Sequence, residues 1–384
     1  MSKRKIKDTH HYSWKIGELA KGCQLCVKGE KTVFFVTGIC PRNCYFCPLS
    51  ELKKNKDVVY ANEMKVNEFS DLADEIKTCD SKGVGITGGD PLARLERTVD
   101  YIKKLKKEFG KDFHIHLYAP LTLVSRESLE KLHSAGLDEI RFHPDIDDKK
   151  LWDRIMLAKE FKWNVGIEIP VLPDREKETI ELMDYLNNIG IDFLNLNELE
   201  FSSLNSDEMK KRGFRTKNPS SYGAFGSEAL AKKLMKHALQ LNYNVHACTA
   251  KLKDRVQLGS RLKNRSENAK KSFDAVDDEG LLTRGAVYTP EIFPSFDYSK
   301  ALAEFPADRR KAVSEKLNAL LEKLEKSRES SGEEFFFDEQ RLRILAGVKT
   351  IKMTAEQLKK DGFKPAVVKE YPTGDCFIVE LEFL

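Results

Sequence analysis

Five of the chain's eight cysteines, Cys23, Cys26, Cys40, Cys44 and Cys47, fall within 25 residues. Eight cysteines in 384 residues are too few for a disulfide framework, so clustered thiols read as metal ligands or redox groups. Cys40, Cys44 and Cys47 have the spacing C-x3-C-x2-C. Three thiolates on one short loop can converge on a compact metal centre, and soft sulfur selects zinc or iron–sulfur. A closed structural zinc site wants a fourth ligand, which Cys23 or Cys26 could supply. A [4Fe–4S] cluster on three cysteines instead leaves one iron open to an outside ligand, and an open position can do chemistry.

The elements that must position this loop follow from the pattern of the chain. From about 31 to 250, short β-like runs alternate with longer helical ones. Thr32–Thr37 is β-branched and aromatic throughout and reads as a strand buried on both faces. Later strands are expected at 84–87, 113–117, 139–142, 165–169, 193–196 and 244–247, each preceded by a helical stretch. Such alternation implies βαβ units and a parallel sheet. Right-handed crossovers then gather the loops after each strand at one end, where parallel α/β folds place their sites. The expected fold class is α/β, a partial (β/α)6-type parallel barrel with a small α+β C-terminal appendage. The expected division is 1–30 as an N-terminal extension with the C-x2-C pair, 31–250 as the core, 251–304 as a basic connecting segment and 305–384 as the appendage. In the appendage Val313, Leu317, Leu320, Leu321 and Leu324 form a helical stripe, and 325–334 is a polar break. The runs 335–344 and 366–383 look strand-like, the second bent at Pro372–Asp375.

The cysteine loop follows the first strand as Thr37-Gly38-Ile39-Cys40-Pro41-Arg42-Asn43-Cys44-Tyr45-Phe46-Cys47-Pro48. With an aromatic residue before its last cysteine, it resembles the loop of the radical S-adenosylmethionine (AdoMet) superfamily. Gly85-Ile86-Thr87-Gly88-Gly89-Asp90-Pro91, after the second strand, is similar to that family's Gly-Gly-Glu-Pro segment, with Asp90 one methylene shorter than the usual glutamate. The likeness covers about 31–250 and is nearest to uncharacterised archaeal proteins related to pyruvate formate-lyase activating enzymes. It implies an oxidoreductase with two cofactors, a [4Fe–4S] cluster on Cys40, Cys44 and Cys47 and AdoMet on its open iron. It also implies Phe46 beside the adenine and Gly88, Gly89 and Asp90 at the methionine amino group. Reductive cleavage of AdoMet would precede hydrogen abstraction from a substrate, with electrons from a reductant protein such as a ferredoxin or flavodoxin. Val165–Val171 resembles the family's adenine-contacting strand. Arg141 and Glu168 would meet AdoMet in this fold, or else form an ion pair. Asn195, Asn197, Glu198 and Glu200 are either substrate contacts or ordinary loop residues.

Weaker signals remain open. Cys23 and Cys26 could hold an auxiliary metal with Cys248, His246 or Cys79, act in redox exchange, or simply be buried. His246 and Cys248 share one face of a strand, where a core histidine is the plainer reading. His10 and His11 read as a solvated pair, and Cys79 and Cys376 as structural. The segment 251–272 holds eight basic residues against two acidic ones, without interleaved aromatics, and fits a solvated surface better than a base-stacking one. A protein or peptide substrate, perhaps a glycyl-radical partner, is the first expectation. An RNA-modifying enzyme and a zinc-stapled binding module are the alternatives. The net charge of +4, from 65 basic and 61 acidic residues, selects no nucleic-acid role. No apolar run approaches a membrane span, and the terminus lacks a secretory signal's apolar centre, so a cytoplasmic protein is expected.

Overall fold

The structure, a computed structural model, describes residues 4–295, 298–328 and 334–384. The chain divides into two compact units, Met1–Arg261 and Leu262–Leu384. The first is built on seven parallel strands that neighbour one another in chain order. They are β3 (Lys31–Phe35), β6 (Gly83–Thr87), β7 (His114–Pro120), β8 (Glu139–His143), β9 (Asn164–Val171), β10 (Phe193–Glu198) and β11 (Asn244–Cys248). The two edge strands of this array do not pair with each other. A short hairpin, β4 (Tyr60–Ala61) and β5 (Met64–Lys65), lies antiparallel on β3, and β1 (Lys7–Asp8) with β2 (Trp14–Ile16) lies antiparallel on β11. The expected partial barrel is present, with the seventh strand in place.

Helices α2 (Phe69–Thr78), α3 (Leu95–Phe109), α4 (Arg126–Ala135), α5 (Arg154–Ala158), α6 (Glu176–Ile189), α7 (Ser206–Lys211) and α8 (Ser227–His237) follow the strands. Their local signals are ordinary: Ser125 caps α4 through the Ser128 amide, and Gly136 ends it at φ 102°. The strands' outer residues, among them Phe34, Ile86, Leu117, Phe142, Ile167 and Leu196, form one continuous core. The inner residues are polar: His116 and Tyr118, Glu139 and Arg141, Glu168, Asn195 and Asn197, His246. Period two thus separates a dry outer face from a polar lumen. Val33 corrects the expectation that the first strand is buried on both faces, since it is 37% exposed and lines the lumen. The N-terminal segment supplies one more inner element. Helix α1 (Lys21–Val27) packs on β3, β6 and β7. Gly22 sits where a Cβ would fall 2.5 Å from His116 Nδ1 and 2.6 Å from an Arg141 nitrogen.

Of the segment expected as a basic connector, 251–304, only the first part is helical throughout, a π-helical stretch at Leu252–Leu258 running into α9 (Gly259–Ala269); the boundary between the units falls inside α9. The second unit is α+β. Its antiparallel sheet orders β14 (Phe335–Asp338), β15 (Arg343–Ala346), β13 (Leu282–Tyr288), β16 (Lys364–Glu370) and β17 (Ile378–Phe383), with β12 (Ala275–Val276) beside β13. Helix α10 (Tyr298–Ala303) precedes α11 (Ala307–Arg328), which carries the expected leucine stripe; α12 (Val348–Lys360) was not foreseen. The polar break expected at 325–334 lies partly outside the described residues.

This unit is organised around Arg343, which is fully buried. It donates to both oxygens of Glu370 at 2.7 and 2.9 Å and to Asp338 at 2.9 Å. Bidentate pairing compensates for removing these charges from water. Arg343→Met should therefore lower the second unit's unfolding free energy by about 3 kcal/mol, because it removes the bidentate partner of Glu370 and leaves Glu370 to Arg284 and Asp338 to Arg341 alone. Calorimetry that finds both units' transitions unmoved would refute this account of the sheet.

Candidate active site

The lumen is one cavity of about 480 Å³. Six of the eight cysteines line it: Cys40, Cys44 and Cys47 on the loop after β3, Cys23 and Cys26 on α1, and Cys248 ending β11. None of the eight is in a disulfide.

The cysteine loop is held at its base by backbone. The Gly38 amide donates to Lys56 O at 2.8 Å, and the Asn55 amide donates to Gly38 O at 3.0 Å. The Gly89 amide donates to Thr37 O and the Asp90 amide to Ile39 O, both at 2.8 Å, fastening the turn after β6 to the loop. A Cβ at Gly89 would lie 2.5 Å from Ile39 O, so only glycine permits this approach. The Thr37 hydroxyl donates to Asp57 at 2.9 Å, and Asp57 also takes hydrogen bonds from Arg94 at 2.9 Å and Arg97 at 2.6 Å. Hydrogen bonding from Arg97 first, then Arg94 and Thr37, holds the Asp57 carboxyl well below the usual carboxylate range. Farther along, Arg42 reaches His143 O and Asp145, each at 2.9 Å. Asn205 holds Phe46 O at 3.0 Å, and the Arg42 amide donates to the Cys40 sulfur at 3.4 Å.

Across the lumen Arg141, 2% exposed, donates to Glu139 at 2.6 Å, to Glu168 at 2.8 Å and to the Tyr118 hydroxyl at 3.1 Å. Glu168 also accepts from Asn195 at 2.8 Å and Asn197 at 2.9 Å. Burial pushes both carboxyls up, but Arg141 and their other partners, His114 and Lys31 at Glu139 and Asn195 and Asn197 at Glu168, together outweigh it. Glu139 sits at about 2, and Glu168, helped by the two amides, stays below its ordinary value. Both are therefore anionic, and Arg141 is locked as their counter-ion.

The lining includes most of the sequence candidates. Phe46 faces it with its ring 5.8 Å from that of His143, and Gly88, Gly89, Arg141 and Glu168 are present. Arg141 and Glu168 thus both pair with each other and face the cavity. Asp90 does not line it. It is fully buried, one oxygen capping the Leu92 amide at 2.9 Å and the other without a partner, and burial pushes its carboxyl up to about 7. Asn195, Asn197, Glu198 and Glu200 line the cavity; Glu198 accepts from the Ala250 amide at 2.9 Å, and Glu200 pairs with Lys253 at 2.7 Å. His246 lines it with Cys248, whereas Cys79 is elsewhere, its thiol 3.2 Å from Glu75. Cys376 donates to Thr373 O, and His10 and His11 are exposed. Of the basic run, Lys253 enters the cavity and Arg261 pairs with Glu63. Sequence reasoning missed Lys31, Arg42, Tyr118, His143 and Gln257, all of which line the cavity. The alternation His-Ile-His-Leu-Tyr over 114–118 and Glu-Ile-Arg-Phe-His over 139–143 marks two of these, Tyr118 and His143, as members of the inward strand faces.

The Radical SAM superfamily profile matches residues 34–197. A protein of Methanocaldococcus jannaschii, named provisionally as a glycyl-radical enzyme activating enzyme, is 44% identical over 299 residues, 75% of this chain and 77% of its own. The chain belongs to the radical SAM superfamily. A lipoyl synthase of Sulfolobus acidocaldarius is 23% identical over 199 residues, 48% of this chain and 67% of that one. Among solved structures, Streptococcus suis SuiB bound to its precursor peptide SuiA aligns with a TM-score of 0.41 at 14% identity. The alignment covers 57% of this chain and about half, 48%, of SuiB. As a radical SAM member the protein is an enzyme that uses a [4Fe–4S] cluster and AdoMet, which overturns the zinc-stapled binding module. Among the described residues no helix is long and apolar enough to cross a membrane.

The residues fit those cofactors. Three thiols without disulfide partners face one cavity, and the turn after β6 approaches them on glycine. A buried carboxyl oxygen beside that turn lacks a partner. Among the described residues no three His, Cys, Asp or Glu side chains already converge on a single point. A multi-iron cube asks for thiolates spread around it rather than focused on one ion.

Asp57→Asn should loosen the loop base and speed hydrogen exchange at the Gly38 and Asn55 amides at least several-fold. Because the Asp57 pKa is depressed, its stabilisation is complete above its ordinary pKa and fades as pH falls toward the folded value. The wild type should approach the variant's exchange only in acid. Equal protection in both proteins at neutral pH would remove Asp57 from this role.

Proposed function

We propose that the enzyme abstracts hydrogen from a protein partner, a glycyl-radical enzyme, with Cys40, Cys44 and Cys47 holding its cluster. One observation carries this reading: the three thiols and the Gly88–Gly89 turn open onto the same polar cavity as the Arg141–Glu168 pair. The protein-partner half rests on the name of the M. jannaschii relative. When bound, the cluster and AdoMet supply reductive cleavage and a radical able to take hydrogen from carbon.

The chain's own groups orient and insulate. The Arg42 amide donates toward the Cys40 sulfur, and such hydrogen bonds tune a cluster's potential. Phe46 offers a flat apolar face for the adenine. Gly88 and Gly89 let backbone approach the methionine end. Glu168 and Arg141 offer an acceptor and a donor to the ribose or carboxylate. The walls of the lumen keep bulk water from the reacting carbon. A ferredoxin or flavodoxin would deliver the electron. Two of the eight cations that an RNA reading would use, Lys253 and Arg261, are engaged by Glu200 and Glu63.

Protein prepared without oxygen should carry about four irons and four sulfides. AdoMet should change its paramagnetic spectrum, and Cys40→Ala, Cys44→Ala or Cys47→Ala should each abolish that change. A candidate partner should acquire a glycine-centred radical in its presence. A colourless zinc protein would defeat the cluster assignment, and an active cluster with no radical on any glycyl-radical partner would defeat the partner assignment alone. Glu168→Gln keeps the shape but removes the charge. It should weaken AdoMet roughly tenfold or more in equilibrium binding, as expected for a lost charge-assisted hydrogen bond of about 1.5–3 kcal/mol; undiminished affinity would place Glu168 outside the AdoMet contacts.

A further inference from the structure

Helix α1 forms part of the lumen wall, and its two cysteines line the same cavity as the loop thiols and Cys248. Cys23 is buried, with its sulfur accepting from Asn195 at 3.3 Å, while Cys26 is partly exposed. Beside them stands Lys31, 4% exposed, whose ammonium donates to Gly22 O at 3.2 Å and to His116 at 2.7 Å. Among the described residues it has no carboxylate within 4 Å, so a thiolate is a natural counter-ion. Residues three apart on a helix hold their Cβ atoms about 5–6 Å apart, and a disulfide needs about 3.5–4.5 Å. A seven-residue helix can supply that small closure. A metal reading is weaker here, because α1 itself offers only two thiols and the site already holds the cations Lys31 and Arg141.

We propose that Cys23 and Cys26 are a redox-active dithiol in the lumen, exchanging with small disulfides that enter through the cavity. Cys26, the open thiol beside Lys31, attacks one sulfur of the incoming disulfide. The bond between the two incoming sulfurs breaks, and the first thiol leaves with the proton of Cys26. Cys23 then attacks the Cys26 sulfur, breaking the mixed disulfide, and its proton leaves on the second thiol. Two electrons pass from the cysteine pair to the reagent, and an intrahelical disulfide remains. Closing it takes the Cys23 sulfur away from Asn195, which also holds Glu168. The couple's state therefore reaches the Arg141–Glu168 wall. Neither the cluster nor AdoMet is needed for the exchange, so the proposal stands apart from the function argued above.

Trypsin releases the pair alone, as the peptide from Gly22 to Lys28. The reconstituted protein is equilibrated without oxygen against graded mixtures of reduced and oxidised glutathione, quenched in acid, alkylated, digested and weighed. The peptide should pass from doubly alkylated to an unalkylated form two hydrogens lighter than the free dithiol, both positions changing together, while Cys79 and Cys376 stay alkylated. Cys23→Ser should trap glutathione on Cys26, whereas Cys26→Ser should leave Cys23 bare. Lys31→Met should slow the exchange about tenfold, the effect of one pKa unit in the attacking thiol, and Lys31→Arg should restore most of it. Independent alkylation of the two positions, a Cys23 or Cys26 link to Cys248 instead, or a doubly alkylated peptide at every ratio would overturn the proposal. Iron content of the same samples reports on the cluster ligands separately, so failure of one assignment is distinguishable from failure of the other.

Discussion

Arg141 is the charge on which the lumen depends. A polar interior surrounded by an apolar shell is costly unless every ion has a partner. Here one guanidinium answers two carboxylates from neighbouring strands, Glu139 on β8 and Glu168 on β9, and also meets Tyr118 on β7. Asn195 and Asn197 carry the network on to β10. Four strands are thus tied on their inner face by hydrogen bonds to charge, while their outer faces are held by apolar packing under the helices. Removing the guanidinium would leave two buried anions side by side. Keeping it leaves a cavity already furnished with an oriented acceptor and donor, so the arrangement that gives the barrel its cohesion would also suit a charged nucleoside.

The cysteine loop illustrates a second constraint. A loop that must present three sulfurs has few side chains left to hold it in place, and beyond Thr37 and Arg42 its fixing is delegated. Backbone bonds to the glycine turn after β6 and to 55–56 hold its base, and Asp57 joins that base to Arg94 and Arg97 on the following segment. The joint brings together strands one and two of the parallel array. The two motifs are therefore positioned by one another and not only by the sheet.

Much of this was legible in the sequence because it is local. The C-x3-C-x2-C spacing, the Gly-Gly turn and the strand–helix alternation all lie within a few dozen residues of one another. Long-range facts were less so. Nothing near Val33 says that its neighbour across the sheet is Gly85, which leaves the inner face open to the lumen. Helix α12 and strand β13 were passed over because their places come from pairing with distant partners, β13 between β15 and β16. Asp90 shows the limit of motif transfer: its position matches, but the shorter side chain turns to cap its own turn through the Leu92 amide. The polar members of the inner strand faces were readable from period two alone, had the alternation been weighed over all seven strands rather than at two charges.

The N-terminal extension changes what the barrel can admit. A Cβ at position 22 would clash with both His116 and Arg141, so α1 lies against the lumen network at the distance only glycine allows. Its presence turns an open half-barrel into a cavity with a floor, and Lys31, the first residue of β3 after the loop that follows α1, donates to Gly22 O. A substrate group entering past the cysteine loop therefore meets thiols and an ammonium at the far side instead of bulk water. For chemistry that generates a carbon radical, such a floor would matter twice: it excludes solvent, and it sets two thiols, Cys23 and Cys26, in the cavity that Cys248 also lines. The extension outside the strand–helix repeat is thus part of the reaction chamber, and the small size of residue 22 is what lets it be there.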